Sequence, residues 1–173
     1  MMINSKLILN NILNFIALVL VQVLILDNVK FGGYINPFLY ILFIIRMPSS
    51  IPKWGILCLS FLMGFTIDIF SGSMGFHTFA STLIGFCRIS LFHLFFSKHE
   101  RESVIIPSLS SMSFGTFVLY SLVLVFIHSF CYFFLEIFIW NEFFLILGRS
   151  ILSATVSLIL ILFVEFIFKF AKK

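Results

Sequence analysis

Six apolar stretches, separated by short polar segments, constrain what this chain can fold into. The first runs without a charged residue from Leu7 to Leu26, which is about the 20 residues that an α-helix needs to cross a membrane. Of the 173 residues, 61% are hydrophobic and 10% are charged, so the chain has more apolar surface than a soluble domain of this size buries. The sequence therefore predicts an all-α integral membrane protein with a single transmembrane domain.

We predict six membrane-spanning segments, which together form a six-helix bundle. They cover residues 6–26, 34–47, 54–70, 76–97, 112–139 and 143–168. The second is short, about 20 Å if it is helical throughout, with Asn36 as its cap and Pro37 at the first helical position. Three alternatives stay open for it: it spans a locally thinned bilayer, it begins at Tyr34, or it is partly re-entrant.

The basic residues predict the orientation of the bundle. With six spans, one side holds Lys6, Arg46, Lys53, Lys98, Arg101, Lys169, Lys172 and Lys173, and only Lys30 falls in a loop on the other side. Loops rich in Lys and Arg stay in the cytoplasm, so both termini are predicted to be cytoplasmic. The turns near residues 27–33, 71–75 and 140–142 then face outward, and the end of the bundle that holds them is termed the outer end.

Three charged residues lie in apolar sequence and need partners. Asp68 precedes a turn of small residues at 71–75, Arg88 lies deep in the following segment, and Arg149 lies in the last one. A charge at the centre of a membrane helix costs at least ~2.5–3.5 kcal/mol. We expect Asp68 and Arg149 to pair, directly or through water, because they lie at similar depth. For Arg88, the carbonyl groups of a helix end and an amide of the first segment stay open as partners.

Asp68 has three interpretations. It is a structural ion pair or surface charge, a ligand or proton site, or a contact with a partner protein. Nearby, His77 is predicted at the membrane surface, and Glu165, beside Lys169, is predicted there too.

Small residues predict a close contact between the third and fourth segments. Ser60 and Gly64 are four positions apart in the third segment, as are Ser81 and Gly85 in the fourth. This spacing lets two helix backbones approach closely in lipid. We therefore predict a tight helical hairpin with Gly64 and Gly85 at the contact.

Polar side chains inside other apolar segments are predicted to face the bundle. Asn4, Asn11, Asn14 and Gln22 lie near one face of the first segment, and His128 lies in the middle of the fifth. Amides and imidazoles in lipid are costly unless they form hydrogen bonds between helices, so we expect these residues to form such bonds.

The sequence contains none of the common catalytic or phosphate-binding motifs, and its acidic residues are too dispersed for a magnesium site. The cysteines Cys58, Cys87 and Cys131 all lie in apolar segments and are interpreted as packing residues. No basic stripe indicates nucleic-acid binding. We expect a protein without enzymatic activity, cofactor or metal.

Residues 64–75 spell G-F-x-x-D-x-x-S-x-x-x-G, with Asp68 as the acid and Gly75 as the last glycine. This pattern resembles the hallmark of the rod shape-determining protein MreD family. Residues 20–24, which include Gln22, and residues 32–37, which end at Pro37, are similar to the family's end of helix one and entry to helix two. The candidates for structural or partner contacts are Asp68, Arg149, Arg88, Gly64, Gly75, Gly85, Asn11, Gln22 and Pro37.

The resemblance implies a multi-pass subunit of the bacterial elongasome, or rod complex, in the inner membrane. Such a subunit binds an MreC-type protein, supports peptidoglycan synthesis by RodA and a class B penicillin-binding protein, is linked indirectly to MreB filaments, and controls cell shape. The resemblance also implies a fold like that of the six-helix S-components of energy-coupling-factor vitamin transporters. The alternative function is therefore a substrate-binding S-component, with Asp68, His77, Trp140 and Arg149 near its ligand.

Overall fold

The computed structural model describes residues 5–29, 35–96 and 106–171. Its α-helices within these ranges are α1 Ser5–Leu24, α2 Ile41–Ile45, α3 Lys53–Ser71, α4 Phe76–Phe95, α5 Phe114–Ile137 and α6 Phe143–Ala171. Short 3₁₀ helices occupy Leu26–Asn28 and Trp140–Glu142. Five helices, all except α2, are long and apolar enough to cross a membrane. The chain is therefore a helical, multi-pass membrane protein.

The long helices begin and end within three residues of the predicted spans, because local signals in the sequence define their ends. The residue after α3, Gly72, has φ 67°, and the residue before α4, Gly75, has φ 91°. Glycine adopts this left-handed conformation at little cost. The side chain of Ser113 caps α5 by accepting a hydrogen bond from the Thr116 amide, 3.3 Å away.

The helices pack in chain order from α3 to α6. The largest contacts join α3 to α4, α5 to α6, and α4 to α5. Helix α1 lies at the periphery against α3, and its Leu9, Ile12, Leu13 and Ile16 side chains are exposed. In a membrane, these exposed apolar side chains face lipid or another protein.

The second segment departs most from the prediction. Only Ile41–Ile45 is helical, so Asn36 and Pro37 do not start a helix. Residues 37–45 are all buried, and they pass through the middle of the bundle. The Asn36 amide donates to Ser153 Oγ (3.0 Å) and the Phe38 amide donates to Ser157 Oγ (2.7 Å), both on α6.

These side-chain hydroxyls explain how non-helical backbone is tolerated at membrane depth. Backbone amides without water need another acceptor, and irregular backbone survives only where it is buried in protein. At the other end of the segment, Arg46 pairs with Glu165 of α6 at 2.9 Å. Because Ser153 and Glu165 are twelve residues apart, the segment runs about 18 Å along α6. It is the core of the bundle and not a lipid-facing span.

Two buried charged residues, Glu165 and Arg88, lie towards the inner end of the bundle, which is the end opposite the outer end. Glu165 was predicted at the membrane surface, but it is 1% exposed and also accepts a hydrogen bond from the Leu109 amide at 3.1 Å. Arg88, 2% exposed, donates to the carbonyl oxygen of Met47, just beyond the end of α2. Arg88 thus takes the helix-end carbonyl, the first of its two predicted partners. The sequence did not predict the burial of Glu165 in the protein, because its partner Arg46 is distant in sequence.

Candidate functional site

The α3–α4 hairpin supports the outer end, and two glycines hold it closed. A Cβ atom added to Gly64 would lie 2.6 Å from Thr78 Cα and would collide with the His77 carbonyl oxygen. A Cβ atom on Gly85 would lie 2.8 Å from Ser60 Cβ. Only glycine allows the two backbones to approach this closely. The predicted glycine contact between the third and fourth segments is confirmed.

Asp68 anchors the first turn of α4. Its carboxylate accepts hydrogen bonds from the backbone amides of His77 (3.1 Å) and Thr78 (2.7 Å) and from the hydroxyls of Ser73 and Thr78. The first amides of a helix have no partner within the helix, and the helix dipole favours a negative charge beside them. Asp68 is 6% exposed, and its role in this structure is a buried cap that joins α3 to α4.

The predicted direct ion pair of Asp68 with Arg149 does not form. Arg149 pairs with Glu136 of α5 at 3.2 Å, and its guanidinium group lies 4.4 Å from the centre of the Phe133 ring. The Asp68 carboxylate is instead occupied by the donors of α4. The two residues share a depth in the sequence pattern, but depth along a helix does not determine the direction in which each side chain points.

We expect Asp68→Ala to destabilise the protein more than Asp68→Asn. Alanine leaves the buried His77 amide and three part-buried donors without their acceptor, and an unpaired buried donor costs about 1–3 kcal/mol, whereas asparagine retains one acceptor oxygen. Thermal unfolding of the purified variants in detergent measures the difference. Glu142→Gln, which changes an exposed carboxylate in another turn, is the control. Unfolding of Asp68→Ala at the wild-type temperature would contradict the capping role.

Gln22 and Asp27 join the end of α1 to the same region. Gln22, 1% exposed, donates to Asp27 Oδ1 (2.8 Å) and to the Pro37 carbonyl oxygen (2.9 Å), and accepts from the Leu39 amide (3.0 Å). The prediction that Gln22 faces the bundle is confirmed. The other oxygen of Asp27 accepts a hydrogen bond from Ser71. From the sequence, Asp27 was predicted only as part of a polar turn. Its position directly after a span was the one feature of the sequence that indicated a role at the end of α1.

A buried histidine–tyrosine–histidine cluster lies close to these contacts, on the side towards the bundle interior. The hydroxyl of Tyr40 is 2.9 Å from His77 Nδ1 and 2.6 Å from His128 Nε2. His128 faces the bundle as predicted. His77, which was predicted at the membrane surface, is 4% exposed and is buried in the protein. The sequence analysis did not identify Tyr40 as a partner of the two histidines, because the path of the short second segment through the bundle was not predicted.

The cluster has a defined hydrogen-bonding chemistry. A tyrosine hydroxyl donates only one proton, so at least one of the two histidines presents a protonated nitrogen to Tyr40. The ring of Phe38 packs edge-on against both imidazoles, with centroid distances of 5.8 Å to His77 and 4.8 Å to His128. These contacts fix both rings.

A cavity of about 500 Å³, termed the outer cavity, lies above the cluster. Its walls come from the end of α1, the start of the second segment, the α3–α4 turn and α5. The polar and aromatic side chains that line it are Asp27, Asn28, Asn36, Phe38, Phe70, Ser71, Ser73, His77, Tyr132 and Glu136.

Some of the predicted site residues lie away from the outer cavity or outside the described residues. Asn11 and Asn14 are half-buried on α1 and have no hydrogen-bond partner in the described part of the chain. Asn4, Lys30, Tyr34 and the side chain of Trp140 lie outside what the structure describes. Cys58, Cys87 and Cys131 are free thiols.

No protein-family model, curated protein or solved structure matches this chain. Among the described residues, no group of three or more His, Cys, Asp or Glu side chains is placed to hold a metal ion. The outer end offers hydrogen-bonding groups, aromatic rings and carboxylates around a cavity, and the bundle offers apolar helix surfaces around its periphery.

Proposed function

We propose that this chain is a non-enzymatic, MreD-like subunit of the bacterial rod complex in the inner membrane. Its direct partner is a single-span MreC-type protein. Through that partner it supports peptidoglycan synthesis by RodA and a class B penicillin-binding protein, and it is linked indirectly to MreB filaments. Its contribution is a rigid set of helix surfaces on which other membrane helices dock.

The motif at residues 64–75 supports a scaffold role. Gly64 allows α3 to touch α4, Asp68 caps α4, Ser71 bonds to Asp27, and Gly75 supplies the left-handed turn residue. Gly64, Asp68 and Gly75 stabilise the hairpin, and Ser71 joins it to the end of α1. A motif that holds helices together is what a subunit needs when its task is to present helix surfaces to partners.

The observation that carries the proposal is on α1. Asn11 and Asn14 are three residues apart and therefore lie on the same side of the helix. They have no hydrogen-bond partner in the ranges that the structure covers. An amide in lipid gains roughly 0.6–2 kcal/mol from a bond to another helix. A partner helix that docks on α1 would supply these bonds.

The filled interior of the bundle also favours a scaffold over a transporter. Phe38, Tyr40, Ile41 and Ile44 of the second segment are at most 1% exposed. They occupy the centre of the bundle, where a translocated substrate would need space. The lateral helix surfaces are the larger resource for binding.

We expect the double variant Asn11→Leu/Asn14→Leu to lose most of its crosslinking to the MreC homologue in the native host, because both amides lose their bonds to the partner. The control is Thr155→Leu, which replaces an exposed polar residue on α6 that bonds only within its own helix. Depletion of the whole protein should give rounded cells. Rods that persist after full depletion, or unchanged crosslinking of the double variant, would contradict the proposal.

One observation favours the alternative function, a substrate-binding S-component. The outer cavity lies where a ligand could enter from outside, and its volume of about 500 Å³ is in the range of small-molecule sites. Loss of vitamin uptake on depletion, with rod shape retained, would support this alternative.

A further inference from the structure

We infer that the outer cavity binds a small organic cation, such as an ammonium group carried on a ring or short chain. The inference is independent of the proposed scaffold role, because the cavity lies at the end of the bundle and the proposed docking surface, around Asn11 and Asn14, lies on the side of α1.

The charge of the cavity wall favours a cation. Two carboxylates line the cavity, Asp27 and Glu136. Arg149 pairs with Glu136, but within the ranges that the structure describes Asp27 accepts hydrogen bonds only from Gln22 and Ser71, which are neutral. Among the described residues no cation pairs with Asp27. Its negative charge attracts a positive ligand.

Two side chains in the cavity wall, Tyr132 and His77, each have a hydrogen-bonding group without a partner among the described residues. Tyr132 is 7% exposed and His77 is 4% exposed, and both line the cavity. In the described part of the chain, the Tyr132 hydroxyl has no hydrogen-bond partner, and only Nδ1 of His77 is bonded, to Tyr40. Neither the Tyr132 hydroxyl oxygen nor His77 Nε2 is among the fully buried polar atoms of the described residues, so both are accessible to a molecule in the cavity. A ligand in the cavity would pair them.

The cavity also has an aromatic lining. Phe38, Phe70 and Tyr132 line the cavity, and the centres of the Phe38 and Tyr132 rings are 5.0 Å apart. The face of an aromatic ring attracts a cation. The same rings accommodate the apolar part of an organic ligand, so the site suits an organic cation better than a hydrated metal ion.

An anionic ligand is disfavoured by the same geometry. The start of α4 would be the natural anion site near this cavity, because helix N-termini bind negative groups. Asp68 already occupies the His77 and Thr78 amides there. An anion would therefore meet carboxylates without access to these donors.

The test uses the full-length protein in nanodiscs, with benzylammonium as the probe and isothermal titration calorimetry as the measurement. Benzyl alcohol and benzoate have the same ring but are neutral and negative, and empty nanodiscs correct for binding to lipid. We expect benzylammonium to bind at least about tenfold more tightly than either. Asp27→Asn should weaken its binding by a similar factor, while the control Glu142→Gln leaves it unchanged.

Tyr132→Phe provides a second variant if Asp27→Asn does not fold. It keeps the ring and removes the unpaired hydroxyl, so we expect a several-fold loss of benzylammonium affinity. No preference for benzylammonium over benzyl alcohol in the wild-type protein would overturn the inference, as would unchanged affinity in a folded Asp27→Asn variant. Crosslinking to the MreC homologue should persist in Asp27→Asn, so failure of the cation site and failure of the scaffold role give different results.

Discussion

We expect Gly64→Ala to lower the free energy of unfolding by ~1–3 kcal/mol and Gly64→Leu to prevent the protein from accumulating in the membrane. The reason is the position of the new Cβ atom, which would lie 2.6 Å from Thr78 Cα and against the His77 carbonyl oxygen. Both are backbone atoms and cannot rotate away, so α3 and α4 must separate. That separation also pulls Asp68 from the amides that it caps. Reversible unfolding in mild detergent and membrane abundance measure the two effects.

Gly85 provides a graded comparison. A Cβ atom there would meet Ser60 Cβ at 2.8 Å, and this obstacle is a side chain that can be removed. Gly85→Ala should therefore destabilise the protein, and adding Ser60→Gly should recover part of the loss. Gly148→Ala is the control, because a Cβ at Gly148 meets nothing within 4 Å and alanine favours a helix by up to ~1 kcal/mol. Equal stability of Gly64→Ala and Gly148→Ala would contradict the contact.

Glu165→Ala is expected to cost ~3–5 kcal/mol, because it leaves Arg46 as an uncompensated charge inside the bundle. It also removes the acceptor of the Leu109 amide. Glu165→Gln should cost less, since the amide oxygen can still accept that bond. Unfolding of the purified variants in detergent gives both values. Lys169→Met, an exposed charge one turn further along α6, is the control and should change stability little.

The double variant Arg46→Met/Glu165→Met separates the value of the pair from the cost of breaking it. A buried ion pair that is replaced by apolar side chains of similar size often costs little. We therefore expect the double variant to recover most of the stability lost in Glu165→Ala. If it is as unstable as Glu165→Ala, the apolar replacement is not neutral and the loss reflects the pair's own stabilisation or the unpaired Leu109 amide.

The sequence by itself determined the membrane class of the protein and its long helices. Length and apolar character decide whether a helix crosses a bilayer, and both are local properties. The same local reasoning identified Gly64 and Gly85 as contact residues and placed Gln22 and His128 in the bundle. A polar side chain in an apolar helix is costly in lipid wherever the helix lies, and a small residue permits a close helix contact. Both therefore indicate a position inside the bundle from the sequence alone.

Only the tertiary structure decided which groups meet. Hydropathy gives the depth of Asp68 and Arg149 but not their positions around the bundle, so Arg149 pairs with Glu136 and Asp68 caps α4. The second segment is not a continuous helix because Ser153 and Ser157, more than 100 residues away in the sequence, accept its backbone amides. No local pattern predicts acceptors at that distance. The burial of Glu165 depends on the path of the second segment, because that segment brings its partner Arg46 to α6. The bonds of Tyr40 to the two histidines depend on the same path, because Tyr40 belongs to the segment.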